Sequence, residues 1–208
     1  MICDPLPLIM RFTQPPLTRI ARSLVALLAL AAAVHSGIGA EPSKEELIVP
    51  GRNIGKTYLG PDGAKSLKRL PAPTASEAGM SQNRLVWLSG KQPPIHSLFI
   101  HTTANGVMDA TPAEGVTIDE IRITSPEFRT NGGIKCGSTF EQILSAFPRI
   151  RRDESTTNIY EDPAHGIAFE FEGTAGNESP CIAITVFIPN SPRYSTQRQI
   201  AELIKDHP

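Results

Sequence analysis

Six short runs rich in strand-forming residues, each closed by a cluster of turn residues, constrain this chain most. They cover residues 84–89, 97–102, 116–124, 158–161, 166–171 and 181–188. Runs of this length, with turn signals between them, predict antiparallel meanders rather than crossover units. In the fifth run Ile167, Phe169 and Phe171 point one way and Ala168 and Glu170 the other. In the sixth, Ile182, Ile184, Val186 and Ile188 share one face, and Phe187 stands on the opposite one. In the third, Ile118 is out of phase with Ile121 and Ile123, which calls for a bulge or a later strand start.

Helical signals fall at matching places in the two halves. Gly60-Pro61-Asp62-Gly63 forms a turn, and Asp62 can cap a short helix over 63–70 that Pro71 and Pro73 stop. Residues 72–83 read as a loop. In the second half Ser138 and Glu141 have capping-box spacing. Phe140, Ile143, Leu144 and Phe147 then form a stripe at helical spacing, ended by Pro148. A last amphipathic helix over about 196–205 carries Ile200, Leu203 and Ile204.

The order of short strand, helix and three antiparallel strands therefore occurs twice. The expected fold is α+β: two tandem strand-helix-three-strand repeats forming an antiparallel sheet with helices on one face. One such unit leaves a sheet edge and part of a face open, and joining two copies covers them. The corresponding organisation is 1–40, signal peptide; 41–125, first repeat; 126–189, second repeat; 190–208, C-terminal helix.

Residues 1–40 carry Arg11, Arg19 and Arg22 before the uncharged run 24–34, then small residues up to Ala40. That is the pattern of a secretory leader, and the apolar run is shorter than the roughly 20 residues a spanning helix needs. The expected location is periplasmic or secreted, with no membrane span after cleavage. The chain has 20 Lys and Arg against 21 Asp and Glu. The leader holds three of those arginines and Asp4, so the remainder balances 17 basic against 20 acidic residues, a net of −3. A mildly acidic domain of this kind lacks the electrostatic footprint of a nucleic-acid binder. Two of the three cysteines, Cys136 and Cys181, lie beyond the leader. In an oxidising compartment they are expected to pair, and closing a loop of that length stabilises by about 4 kcal/mol at most. Two buried free thiols are the alternative.

Ile123-Thr124-Ser125-Pro126-Glu127-Phe128-Arg129-Thr130 runs into Gly133-Ile134. Gly137-Ser138-Thr139 opens a helix, and Tyr160-Glu161-Asp162 and Gly166-Ile167-Ala168-Phe169 follow. Across residues 48–189 this pattern resembles secreted bacterial proteins of uncharacterised role. Their architecture is similar to the tandem-repeat fold of beta-lactamase-inhibitory protein and to the single unit of the small outer-membrane lipoprotein of the beta-barrel assembly machinery. The resemblance implies a binding module, not an enzyme. It does not extend to the lipoprotein's anchoring cysteine.

The residues themselves offer little chemistry. Glu161, Asp162 and His165 can be read as metal ligands or an acid/base pair, yet Asp-Pro followed by His-Gly is also ordinary hairpin chemistry. His96 and His101 have opposite strand parity and cannot share a metal. Ser138 has no Gly-x-Ser-x-Gly elbow around it. Arg149, Arg151 and Arg152 read as a solvated clump. Trp87, Phe99 and Phe187 are the candidates for a binding surface. The expectation is a non-enzymatic module that binds an envelope protein through its sheet face or loops, with no cofactor and no metal. The alternative is a small extracytoplasmic metal-binding protein or hydrolase using Glu161, Asp162 and His165.

Overall fold

The computed structural model describes residues 43–104, 115–195 and 197–205. The expected leader and the Gly- and Pro-bearing stretch before Gly115 lie outside them. The chain builds two sheets. The smaller holds β1 (Leu47–Val49), β2 (Asn53–Ile54), β3 (Thr57–Tyr58) and β8 (Arg129–Thr130) in the order β3-β2-β1-β8, with β1 and β8 parallel. The larger is antiparallel, eight-stranded and ordered β4-β5-β6-β7-β12-β11-β10-β9. Its strands are β4 (Ala75–Gly79), β5 (Gln82–Leu88), β6 (Ser97–Ala104), β7 (Val116–Ile123), β9 (Arg151–Arg152), β10 (Ile159–Asp162), β11 (Ile167–Phe171) and β12 (Cys181–Phe187). Two four-stranded meanders thus meet along the antiparallel β7–β12 seam, where Ile184 opposes Ile123 and Val186 opposes Ile121.

Three short helices complete the described residues: α1 (Gly63–Leu67), α2 (Phe140–Ala146) and α3 (Gln197–Lys205). The protein is therefore mostly β, which corrects the expected α+β fold with helices on one face. The cause lies in the side chains. On one face Ile100, Ile121, Ile184, Val186, Ile167, Phe169 and Phe171 meet Ile143 of α2, with Ile48 and Ile54 of the small sheet. That small sheet covers area the expectation assigned to helices. On the other face Val86 and Phe99 meet Ile200 of α3, with Leu203 and Ile204 beside it. The two amphipathic helices thus lie against opposite faces.

Sequence periodicity and structure agree where apolar side chains alternate and part where they do not. Ile118, Ile121 and Ile123 all reach the same core because a bulge places Asp119 and Glu120 opposite His101. Residues 75–79, read as loop, form the edge strand β4: Ala-Ser-Glu-Ala-Gly carries no strand propensity and is exposed after Ala75. Its turn to β5 holds Met80 and Ser81 at positive φ (50° and 62°) without the usual Asn-Gly. The capping box of α2 sits one residue later than expected. Thr139 accepts from the Gln142 backbone, and the Gln142 side chain accepts from the Thr139 backbone. The Ser138 hydroxyl is already used as acceptor for the Lys135 backbone N–H. Asp62 makes no side-chain cap bond to α1, and Leu144 is exposed on α2.

Glycine sets one close approach that ties the small sheet to the second meander. Gly51 and Gly166 both have a φ of +65°, and the Gly51 N–H donates to the Gly166 carbonyl at 3.2 Å. A Cβ on Gly166 would run into the Phe187 carbonyl, so no other residue fits there without backbone movement.

Candidate functional site

The sequence candidates disperse in three directions. Phe99 and Phe187 are each 1% exposed. Phe99 lies beneath α3, and Phe187 packs with Ile159 and Ala168, so neither forms a surface. Trp87 is half-buried, on the face opposite Phe99, and its indole Nε1–H donates to the Pro71 carbonyl at 2.8 Å. That bond orients the ring along a groove between the small sheet and the β5–β6 end of the large one.

The groove has a volume of about 440 Å³. Ile54, Leu70, Trp87, Leu98, Ile123 and Phe128 make its apolar floor, and Glu45, Lys56, His96 and Glu127 stand at its rim. Lys56 and Glu45 pair at 2.5 Å in the open, where such a bridge contributes little. Ser89 and His96 tie the β5–β6 connection: the His96 backbone N–H donates to the Ser89 hydroxyl at 2.9 Å and the Ser89 N–H to the His96 carbonyl at 2.8 Å. The groove is an apolar concavity with polar groups at its edge, the usual form of a binding site.

Asp162 and His165 come together, and Glu161 does not join them. Asp162 accepts from the His165 Nδ1–H at 2.7 Å and from the His165 backbone N–H at 3.2 Å, closing the β10–β11 turn. The Arg149 guanidinium donates to His165 Nε2 at 2.7 Å. Glu161, its strand neighbour, points to the opposite face and accepts from Arg193 Nε at 3.4 Å. Among the described residues no group of three or more His, Cys, Asp or Glu side chains could hold a metal.

Sequence reasoning missed a buried polar layer under the C-terminal segment. Arg122, opposite Thr185 on the seam, donates to Glu170 Oε2 from Nη2 at 2.7 Å and from Nε at 3.2 Å. His101 is fully buried; its Nδ1 lies 3.2 Å from Asp119 and its ring stacks on Tyr194 at 4.0 Å. Glu120 accepts from the Tyr194 backbone N–H and the Ser195 hydroxyl. Burial pushes the Glu120 carboxyl above its ordinary range; those two donors and the Arg193 and His101 charges pull it back only in part. Arg193 bridges Asp153 at 2.5 Å and Glu161. The signal for this layer was present in Asp119-Glu120-Ile121-Arg122, charges set into an apolar strand, but their partners lie dozens of residues away.

Cys136 and Cys181 are neighbouring buried thiols. The backbone brings them together: Gly137 N–H donates to the Cys181 carbonyl at 2.7 Å and Cys181 N–H to the Ser138 carbonyl at 2.9 Å. A hydrogen bond from Cys181 holds the Cys136 thiol below its usual value, whereas burial pushes Cys181 well up.

The described chain is thus a mostly-β protein with a groove at one end of its larger sheet. No protein-family model matches it, and no curated protein does. Among solved structures it is similar to the uncharacterized protein yfeY from Escherichia coli, with a TM-score of 0.37 and 13% identity over 67% of this chain and 98% of that one. No helix among the described residues is long and apolar enough to cross a membrane.

Proposed function

We propose that this chain is a non-enzymatic binding module, exported to the periplasm or beyond, that takes an apolar anchor of a protein partner into the Trp87 groove. The groove itself carries the reading: an apolar floor of about 440 Å³ with a polar rim. Anchoring by one or two large apolar side chains is how such concavities contribute most of their binding energy. The sheet face assigned to docking from the sequence is a poorer choice, because α2 and the small sheet lie on one side and α3 on the other. The resemblance of residues 48–189 to tandem-repeat inhibitory proteins points the same way. Glu161 stands apart from the Asp162–His165 pair, which itself closes a hairpin turn, and this weighs against the hydrolase alternative that uses all three.

A benzophenone amino acid in place of the exposed Ser89, at the groove mouth, provides the test. Irradiated in the envelope fraction, it is expected to give one discrete protein adduct that a groove-blocking Ser125→Arg variant abolishes. The purified partner should then shift the emission of Trp87, the single tryptophan. An adduct indifferent to Ser125→Arg, or no adduct, sinks the reading.

A further inference from the structure

We propose a second, separate ligand site: a phosphate-binding pocket between the β1–β2 turn and α1, on the opposite flank of the small sheet from the Trp87 groove. A cavity of about 400 Å³ is lined there by Arg52, Tyr58, Asp62, Lys65, Ser66 and Arg69 among others. Three cations face it against one carboxylate, and Lys65 already stands 3.6 Å from that carboxylate, Asp62. This reverses the balance of a chain that beyond residue 40 is net acidic.

Arginine pairing elsewhere makes the pocket stand out. Among the described residues Arg84, Arg122, Arg129, Arg149, Arg193 and Arg198 each bridge a carboxylate. Arg52, Arg69, Arg151 and Arg152 bridge none, and of these four Arg52 and Arg69 line one cavity together. Two guanidiniums brought from different elements to a common space, without an internal counter-ion, suit a compact dianion that each can meet with paired N–H donors. The Tyr58 phenol and the Lys65 ammonium add further donors.

The walls are set before any ligand arrives. Leu59 N–H donates to the Arg52 carbonyl at 2.8 Å, and Tyr58 N–H to the Ser66 hydroxyl at 3.3 Å. A Cβ on Gly63 would strike the Tyr58 carbonyl, so α1 lies hard against β3. Binding therefore orders side chains, not backbone, which lowers its entropic cost. The shared chemistry is a phosphate monoester, carried either by a soluble metabolite or by a lipid headgroup.

Calorimetric titration of the full chain with glycerol 3-phosphate in physiological salt tests the soluble source, and co-sedimentation with phosphatidic-acid vesicles, against phosphatidylcholine vesicles, tests the lipid source. Saturable binding in either arm, weakened at least about tenfold in an Arg52→Gln, Arg69→Gln variant, supports the pocket. Because both side chains are exposed, the variant should keep its circular dichroism and its Trp87 emission. Binding in neither arm, or binding that the double variant leaves intact, overturns it. Neither result bears on the Trp87 groove, whose test uses different residues.

Discussion

Arg122 donates from two nitrogens to one carboxylate oxygen of Glu170 across the middle of the larger sheet, reaching over β12 from β7 to β11. Both side chains are almost wholly withdrawn from water, at 1% and 6% exposure. The pair therefore ties the first meander to the second with charges that cannot be left alone. Glu170→Gln removes the carboxylate charge from this buried contact and is expected to destabilise by about 3–5 kcal/mol in urea unfolding. Replacing both, Arg122→Met with Glu170→Leu, should recover most of that loss, because apolar residues of similar volume often substitute well for a buried pair. A double variant as unstable as the single one would show that the pair does more than neutralise itself.

Glu120 makes stability fall as pH rises. Its carboxyl, pushed up by burial, holds its proton in the folded chain at pH values where the unfolded chain, near 4.5, has lost it. The native state then binds more protons, so this contribution is full below 4.5 and is lost as pH climbs through the folded value. Asp153 acts in the opposite sense. Burial raises it, but the Ser155 N–H and hydroxyl and Arg193 outweigh that and hold it below its ordinary 3.8. Its contribution is present above 3.8 and fails as pH drops further. Unfolding free energies across mildly acidic to neutral pH should therefore decline on the alkaline side, and Glu120→Gln should flatten that decline. An unchanged profile would contradict the assignment.

Cys136 and Cys181 are free, buried, interacting thiols in this structure, and they are expected to pair on export. Protein recovered from an oxidising compartment is expected to show a mass two hydrogen atoms lighter than its reduced form, the electrons passing to that compartment's thiol oxidant, and no thiol titratable under denaturing conditions. Reduction should then lower stability by about 2–4 kcal/mol. Recovery of two free thiols from an oxidising compartment would mean that their buried contact is purely a packing one.

Met80 and Ser81 carry the β4–β5 turn at positive φ, and Met80 is 95% exposed. Residues with a Cβ lose roughly 1–2 kcal/mol each in that backbone region. Met80→Asn with Ser81→Gly should raise stability by about 1–2 kcal/mol in chemical denaturation. No gain would indicate that the turn relaxes in solution.

Strand positions were legible wherever apolar residues alternate against water or a core. Ile167, Phe169 and Phe171, the phase break at Ile118, and Ile200, Leu203 and Ile204 were all visible as patterns, since local burial writes a period into the chain. The edge strand β4 left no pattern, because after Ala75 it is exposed and buries no face for alternation to record. Of the proposed sites, only Trp87 was singled out beforehand; Arg52 and Arg69 are unremarkable in one dimension.

Local periodicity by itself determined that this chain makes antiparallel strands and where a helix carries Phe140, Ile143 and Phe147. Only the tertiary structure decided that β1–β3 and β8 form a separate sheet, that α2 and α3 cover opposite faces, and that Glu120 and Arg122 are buried beside partners from Glu170 to Ser195. The reason is one of range. Alternation records whether a residue is buried, but not against what, and the partner of a buried charge is chosen by chain folding across dozens of residues.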